Sequence, residues 1–357
     1  MIIQELKLIN FRNYQKLQVV FEKGINYIYG DNASGKTSLV ESIYYLSLAR
    51  SFRTSEDKNL ISHLSSFASI YASIIVGKTN KVVDVYLTEE GKKIAVNKKQ
   101  IHKLSELSDV FNAICFVPRD VILLKELPRN RRLFLDLAIS KVSKKYLSLV
   151  SDYEKLLRNR NNLLKEVKPN LDLLQVITEQ MIMVSKEIYL YRYEYINELN
   201  VSLLKTYQAL TNSKDEAKII YLPFIKNAKN YEELARLEYK NTLEIDLKKK
   251  QTTKGVHKED FYVLLQNKNV GVFGSQGENR LVVLALKLSL YDLVKEYKDK
   301  PVVILDDVLS ELDENHQKNL IEYLKKIVQV FITSTSKIDI TNANYYIVSN
   351  SSIRKEE

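Results

Sequence analysis

An α/β fold, in which a sheet carrying a phosphate-binding loop is interrupted along the sequence by a helical lobe, is what this chain predicts, on three observations. A complete GxxxxGK[ST] loop, Gly30-Asp31-Asn32-Ala33-Ser34-Gly35-Lys36-Thr37, follows the strand-like run 25–29 and precedes Leu39, Ile43, Leu46 and Leu48 at near-helical spacing. Near the other end, the apolar run Pro301-Val302-Val303-Ile304-Leu305 closes on two carboxylates, Asp306 and Asp307. Between them, residues 130–250 carry apolar residues mostly at helical spacing. The expected division is therefore 1–129 and 251–357 for the two parts of the head, with 130–250 looping out and returning.

Residues 1–29 read as two strands around the turn Asn10-Phe11-Arg12-Asn13-Tyr14, with Leu17, Val19 and Phe21 alternating after it. Arg12 stands on that turn, where it either reaches a nucleotide or remains a solvated charge. In the loop from Gly30 to Thr37 the glycines permit a tight wrap and turn backbone N–H groups onto the α- and β-phosphates of a nucleotide. Lys36 then reaches the β/γ oxygens and Thr37 ligates magnesium, with Ser38 beside it on the first helical turn. Arg50 and Arg53 flank Phe52, a pattern suited to phosphate contact. Residues 67–118 alternate as a strand-rich layer, through Ile70, Ala72, Ile74 and Val76 and then Val83, Val85 and Leu87. The paired lysines at 92–93 and 98–99 fit soluble strand edges.

The next segment opens on Pro128-Arg129-Asn130-Arg131-Arg132 and is expected to be helical to about residue 210. Tyr146, Leu149, Tyr153 and Leu156 form one seam; Leu174, Ile177, Met181, Val184, Ile188, Tyr191 and Tyr195 form another beyond the turn Lys168-Pro169-Asn170. An antiparallel helical hairpin and an ordinary helical subdomain both satisfy this pattern. Residues 231–250 give a further helix ending in Lys248-Lys249-Lys250, and Gly255-Val256-His257-Lys258-Glu259-Asp260 reads as a polar turn. Ser275-Gln276-Gly277-Glu278 opens an amphipathic helix through Leu281, Leu284, Leu288 and Leu293.

The run ending at Asp306-Asp307 suits a central parallel strand, whose carboxyl end is where open α/β sheets bind ligands. Asp306 can hold magnesium opposite Thr37, and Asp307 can polarise an attacking water. Ser310-Glu311-Leu312-Asp313 follows, then a helix from about 314 to 326 and a strand over 328–332 that ends in Thr333-Ser334-Thr335-Ser336. That hydroxyl cluster either senses a γ-phosphate or starts a loop, the loop being the simpler reading.

At 357 residues and 45% hydrophobic the chain can bury a large core, and nine Gly and five Pro leave little material for linkers. A net charge of +10 favours a polyanionic partner, nucleic acid or an anionic membrane surface. The charged N-terminus and the lack of an apolar run near the ~18 residues of a membrane span make a cytoplasmic protein the expectation. The single Cys115 leaves no internal disulfide, which agrees with a reducing compartment.

The order of phosphate loop, long insertion, Gly-Ser turn opening a helix, Walker B strand and Ser-Glu-Leu-Asp resembles the ABC-type ATPases of DNA repair and chromosome maintenance. Within them the chain is similar to the RecF family, through Phe11-Arg12-Asn13-Tyr14, residues 49–54, Arg131-Arg132-Leu133-Phe134-Leu135-Asp136, residues 255–260, Ser275 to Arg280 and residues 305–313. It departs from the family pattern at Val256, Lys258, Glu259 and Glu278-Asn279. The resemblance implies an ABC-type P-loop ATPase head with strand-rich additions and an inserted helical lobe, using ATP and Mg2+. It implies that Ser275, Gln276 and Gly277, with Asp313, meet the nucleotide held by a second subunit, so that ATP closes a homodimer, and that Asp307 is the general base. It further implies single-stranded, double-stranded and junction DNA as partner, cooperation with RecR and RecO in loading RecA, and a nucleoid-associated cytoplasmic setting with no membrane. Arg50, Arg53, Arg129, Arg131 and Arg132 are the favoured DNA contacts, Lys248 to Lys250 weaker ones; arginines near helix starts equally pair with carboxylates inside a fold. A shorter Asp307 in place of a glutamate implies slow hydrolysis. The rivals are a transport ATPase subunit and an SMC-like linker.

Overall fold

The computed structural model describes residues 1–297 and 300–356. The chain forms two compact units, one of Met1–Val121, Lys205–Lys214 and Val283–Glu357, the other of Ile122–Leu204 and Asp215–Val282. The second unit thus reaches beyond the lobe expected at 130–250, takes in the Ser275 element assigned above to the head, and leaves out residues 205–214.

In the first unit, β1 (Ile2–Phe11) and β2 (Tyr14–Val20) form the expected hairpin, and β3 (Gly24–Tyr29) leads through the phosphate loop into α1 (Lys36–Leu48). The strand-rich layer is β4 (Phe67–Val76), β5 (Thr79–Thr88), β6 (Gly91–Val96) and β7 (Lys99–Gln100), followed by β8 (Ala113–Phe116). The first sheet is antiparallel in the order β2-β1-β4-β5-β6-β7. Its alternating residues Leu6, Leu8, Ile70, Ala72, Val83 and Val85 turn into one core shared with Leu39, Val40 and Ile43 of α1 and with Ile28, Ile304 and Phe331.

The second unit opens with α2 (Pro128–Val142), α3 (Lys144–Leu163) and α4 (Leu171–Thr211). Lys145 reaches Glu187, Tyr146 accepts from Arg192, and Arg160 donates to Thr178, so α3 and α4 run antiparallel, resolving the seams into a hairpin. A three-stranded sheet of β9 (Ala217–Leu222), β10 (Asp260–Leu265) and β11 (Lys268–Asn269) has α5 (Tyr231–Lys249) between its first two strands; α6 (Val270–Phe273) follows, then α7 (Gln276–Tyr297), which belongs to the first unit from Val283 on.

Residues 255–260, read as a polar turn, form a short turn in which Gly255, Val256 and Glu259 are buried, His257 and Asp260 half-buried and Lys258 exposed. Arg192, 4% exposed, donates to Glu259 at 2.5 Å, to Asp136 at 2.8 Å and to the Val256 carbonyl. Tyr221 O–H and the Phe224 N–H complete the shell of the Glu259 carboxylate. Buried ions persist only when paired and hydrogen-bonded, and here each of the three Arg192 nitrogens has an acceptor. Gly255, at φ +132°, admits the turn because a Cβ there would meet the Tyr153 and Tyr239 hydroxyls at 2.4 and 2.7 Å.

His257 bonds Tyr153 through Nδ1 and the Thr252 carbonyl through Nε2, and burial pushes its pKa down to about 4. An unfolded histidine titrates near ~6.5, so between these values the unfolded chain binds more protons and folding stability falls as pH falls. At pH ~4.5 the expected cost is about 2.5 kcal/mol relative to pH 7 from this residue alone. Urea unfolding of the wild type and His257→Gln at both pH values checks it: the wild type should lose more than the variant by about that amount, and parallel losses would contradict it.

The remaining strands belong to the first unit: β12 (Val302–Asp306), then α8 (Glu314–Leu324), β13 (Gln329–Ser334), β14 (Asn344–Ser349) and β15 (Ser352–Lys355). The second sheet has the order β15-β14-β3-β13-β12-β8, with β14, β3, β13, β12 and β8 mutually parallel. Every residue of β8, β12 and β13 is buried, as a parallel sheet covered on both faces requires. The carboxyl ends of β3, β12 and β13 consequently lie side by side, bringing sequence positions 30, 306 and 333 to one edge.

Candidate nucleotide-binding site

At that edge lies a cleft of about 610 Å³ lined by Asn32, Ala33, Gly35, Lys36, Thr37 and Ser38 of the loop and by Arg12, Arg53, Asp307, Thr333 and Thr335. Asp31, Asn32 and Ala33 are exposed on the loop crest, and Ala33 takes φ +63°. Gly30 is fixed by contact: a Cβ would fall 2.1 Å from the Val348 carbonyl oxygen. Gly35, at φ +116°, caps α1 over Tyr14 and Asn13 of the hairpin turn, whose atoms a Cβ would meet at 2.7 to 2.9 Å. The turn quoted from the sequence is thus the floor beneath the loop.

Lys36 curls over its own loop, donating to the Gly30 and Asp31 carbonyls at 2.7 Å each. Burial lowers its pKa, against the pull of Asp307, Asp306 and Asp31. The Ser34 hydroxyl is buried with no hydrogen-bond partner among the described residues. An orphaned polar atom inside a loop of this kind fits an incoming phosphate oxygen.

Asp306, 4% exposed, accepts from Thr333 at 2.6 Å and from Thr37 at 3.1 Å. Burial raises its pKa, the two hydroxyls acting in the opposite sense. A buried carboxylate whose nearest donors are hydroxyls, beside a threonine oxygen, is a hard-oxygen set that fits Mg2+. Among the described residues no cluster of three or more His, Cys, Asp or Glu exists, so such an ion would take its other ligands from phosphate and water. Asp307 stands in left-handed backbone at φ +50°, its N–H on Thr333 and its carboxylate accepting from Ser310 Oγ at 3.1 Å. Thr333, which the sequence left as loop chemistry, therefore fixes both aspartates.

Arg12 is not a free surface charge. Its Nε and Nη2 grip Glu41 at 2.9 and 2.7 Å, and Nη1 donates to the Asn59 carbonyl. Arg53 approaches the same fully buried carboxylate at 3.5 Å. Glu41 was missed by the sequence reading, although an acid inside the apolar stripe Leu39, Val40 and Ile43 signals a buried partner. Arg50 and Arg129 are exposed, as are Lys248 to Lys250. Arg131 and Arg132 have partners within the chain: Arg131 is bidentate to Asp260 at 2.7 and 2.6 Å, and Arg132 donates to the Glu259 carbonyl, because α2 packs them against the start of β10.

Ser275, Gln276 and Gly277 are exposed at the start of α7. Ser275 Oγ accepts from the Glu278 N–H while Glu278 accepts from the Ser275 N–H, a reciprocal cap. Asn279 beneath is buried and donates to the carbonyls of Val270, Gly274 and Ser275, which sets the turn. Asp313 caps α8 by accepting from the His316 N–H, with its side chain still 62% exposed.

The chain matches the family model described as the RecF/RecN/SMC N terminal domain over residues 2–354. It is 38% identical to the DNA replication and repair protein RecF of Clostridium tetani, covering 100% of this chain and 98% of the relative. Among solved structures it is similar to one of the recombination mediator protein RecF with ATP in the RecFOR pathway. That likeness has a TM-score of 0.90 and 33% identity, covering 99% of this chain and 97% of that one. An Smc head bound to the C-terminal winged-helix domain of ScpA aligns at a TM-score of 0.61 and 15% identity over 100% and 97% of the chains, a likeness of fold.

Proposed function

The chain belongs to the RecF family of DNA replication and repair proteins, and from that premise we propose that it is a slow ATPase whose ATP-bound homodimer clamps gapped or single-strand/double-strand junction DNA. The observation that carries the reading is the meeting of Thr37, Asp306 and the orphaned Ser34 hydroxyl at the carboxyl edge of one parallel sheet. Amides of residues 30–37 hold the phosphates. Lys36 leaves the Gly30 and Asp31 carbonyls for the β/γ oxygens, and Arg12, clamped by Glu41, faces the same cleft. Mg2+ would sit on Thr37 and Asp306 and neutralise phosphate charge. Asp307, aimed by Thr333, orients the attacking water.

Ser275, Gln276, Gly277 and Asp313 are exposed, as groups that complete a second subunit's site must be. The similar RecF structure, described in the RecFOR pathway, supports cooperation with RecR and RecO and the loading of RecA in the damage response. A cytoplasmic, nucleoid-associated setting accompanies that role; among the described residues no helix is long and apolar enough to cross a membrane. A long-armed SMC linker is disfavoured by size, because the 41 residues of α4 span only about 60 Å.

Affinity for gapped duplex, measured with and without ATP across a salt series, tests this. Binding should tighten with ATP and weaken steeply with salt, while turnover without DNA stays slow. Salt-insensitive binding, no binding, or fast DNA-free turnover would contradict it.

A further inference from the structure

On the first unit, beside the nucleotide cleft, lies a second opening of about 730 Å³, lined by Arg50, Ser51, Phe52, Arg53, Thr54, Ser55, Asp57, Lys92 and Arg119. It holds four cationic side chains and one carboxylate. That carboxylate, Asp57, is paired with Lys92 at 2.8 Å. The other acids nearby are committed too: Asp120, next to Arg119, is bonded to Lys287 and the Val117 N–H, and Glu41 holds Arg12 and Arg53.

Arg50 and Arg119 remain. Both are exposed, and neither guanidinium forms a hydrogen bond or ion pair with the described residues. Each comes from a different element: Arg50 follows α1, whose end is fixed by the Ala49 N–H on the Tyr45 carbonyl, and Arg119 follows β8 on a short turn held by Asp120. The two backbones are therefore anchored while the side chains have only solvent to neutralise them. Planar guanidinium forks without partners are the groups that best receive phosphate oxygens. The aromatic ring of Phe52, edge-on to Tyr44 at 5.5 Å, adds an apolar wall to the same opening.

We propose that Arg50 and Arg119 form a seat for consecutive phosphates of a nucleic-acid backbone, with Arg53 as the wall shared by this seat and the nucleotide cleft. The inference rests on the DNA-binding reading above and adds to it a residue, Arg119, that no motif marks. A nucleic acid is favoured over an acidic protein segment because the net charge of +10 and the unpaired forks suit a repeating phosphodiester. Arg53 lines both openings, so charge seated at one bears on the other.

The test is the salt dependence of affinity for gapped duplex in the presence of ATP, for the wild type, Arg119→Gln, Arg50→Gln, Arg119→Lys and, as a control for net charge, the exposed Lys165→Gln of the second unit. Each lost phosphate contact should reduce the slope of log affinity against log salt by roughly 0.9 on duplex, and each glutamine variant should weaken binding about five- to tenfold. Arg119→Lys should restore the slope while recovering only part of the affinity, since it keeps the charge and loses the fork. Lys165→Gln should leave the slope as in the wild type. A salt-dependent wild type with unchanged slopes in Arg50→Gln and Arg119→Gln would overturn the seat and leave the DNA reading standing. No DNA binding by the wild type would overturn both. Equal slope loss in Lys165→Gln would also overturn the seat, by showing that net charge alone is being read.

Discussion

Replacing Lys36 with methionine should weaken ATP binding roughly 100- to 1,000-fold while leaving the chain folded. Among the described residues the ammonium makes two hydrogen bonds, to the Gly30 and Asp31 carbonyls of the loop. Losing them costs about 1 to 2 kcal/mol at most. Facing the β- and γ-phosphates the same group makes charge-assisted bonds inside a partly dehydrated cleft, each worth roughly 1.5 to 3 kcal/mol, and two of them account for the expected loss. Isothermal titration with ATP, alongside a thermal melt of the nucleotide-free protein, separates the terms. Near-wild-type ATP affinity in the variant would remove Lys36 from the site.

The other large effect lies far from the phosphates in sequence. Arg192→Met should destabilise the protein by about 3 to 5 kcal/mol, because it leaves Glu259 buried with its cationic partner gone and Asp136 half-served. Tyr221 and the Phe224 N–H still donate to Glu259, and they cannot offset a full charge. The double change Arg192→Met with Glu259→Leu should cost clearly less than the sum of the single changes, since the unpaired ion disappears. Urea unfolding of the three variants measures this. A loss below about 1 kcal/mol in Arg192→Met would show that the network is not holding the unit together.

A sequence displays local constraints more plainly than distant contacts. The loop from Gly30 to Thr37 and the strand before Asp306 were legible because their constraints are local: a tight turn, a helix start, a strand buried on both faces. The order β3-β13-β12 was not legible, because an apolar run marks a buried strand without saying which neighbour it pairs with. Glu41 and Asn59 escaped, and the hold of Thr333 on the aspartates with them, because their partners lie 27 to 47 positions away and contact is set by the fold. The same distance hid the buried network: residues 255–260 look polar because they are charged, and Glu259 among them is buried because Arg192, 67 positions earlier, neutralises it. Strands β14 and β15 were passed over because Asn344 to Lys355 is short and mixed in character. Arg131 and Arg132 carry the composition of a DNA contact, and only packing reveals the carboxylate and carbonyl that claim them.

The central claim is that ATP joins two copies through the exposed Ser275 element. An arginine at that position meets only solvent in a single chain, and losing the Ser275 cap costs about 1 kcal/mol, so Ser275→Arg separates assembly from folding. Sedimentation velocity with a non-hydrolysable ATP analogue, with and without gapped duplex, should show the wild type as a dimer that holds DNA. Ser275→Arg should bind the analogue and remain a monomer. A wild type that stays monomeric in every condition, or a Ser275→Arg variant that dimerises as the wild type does, would contradict the account.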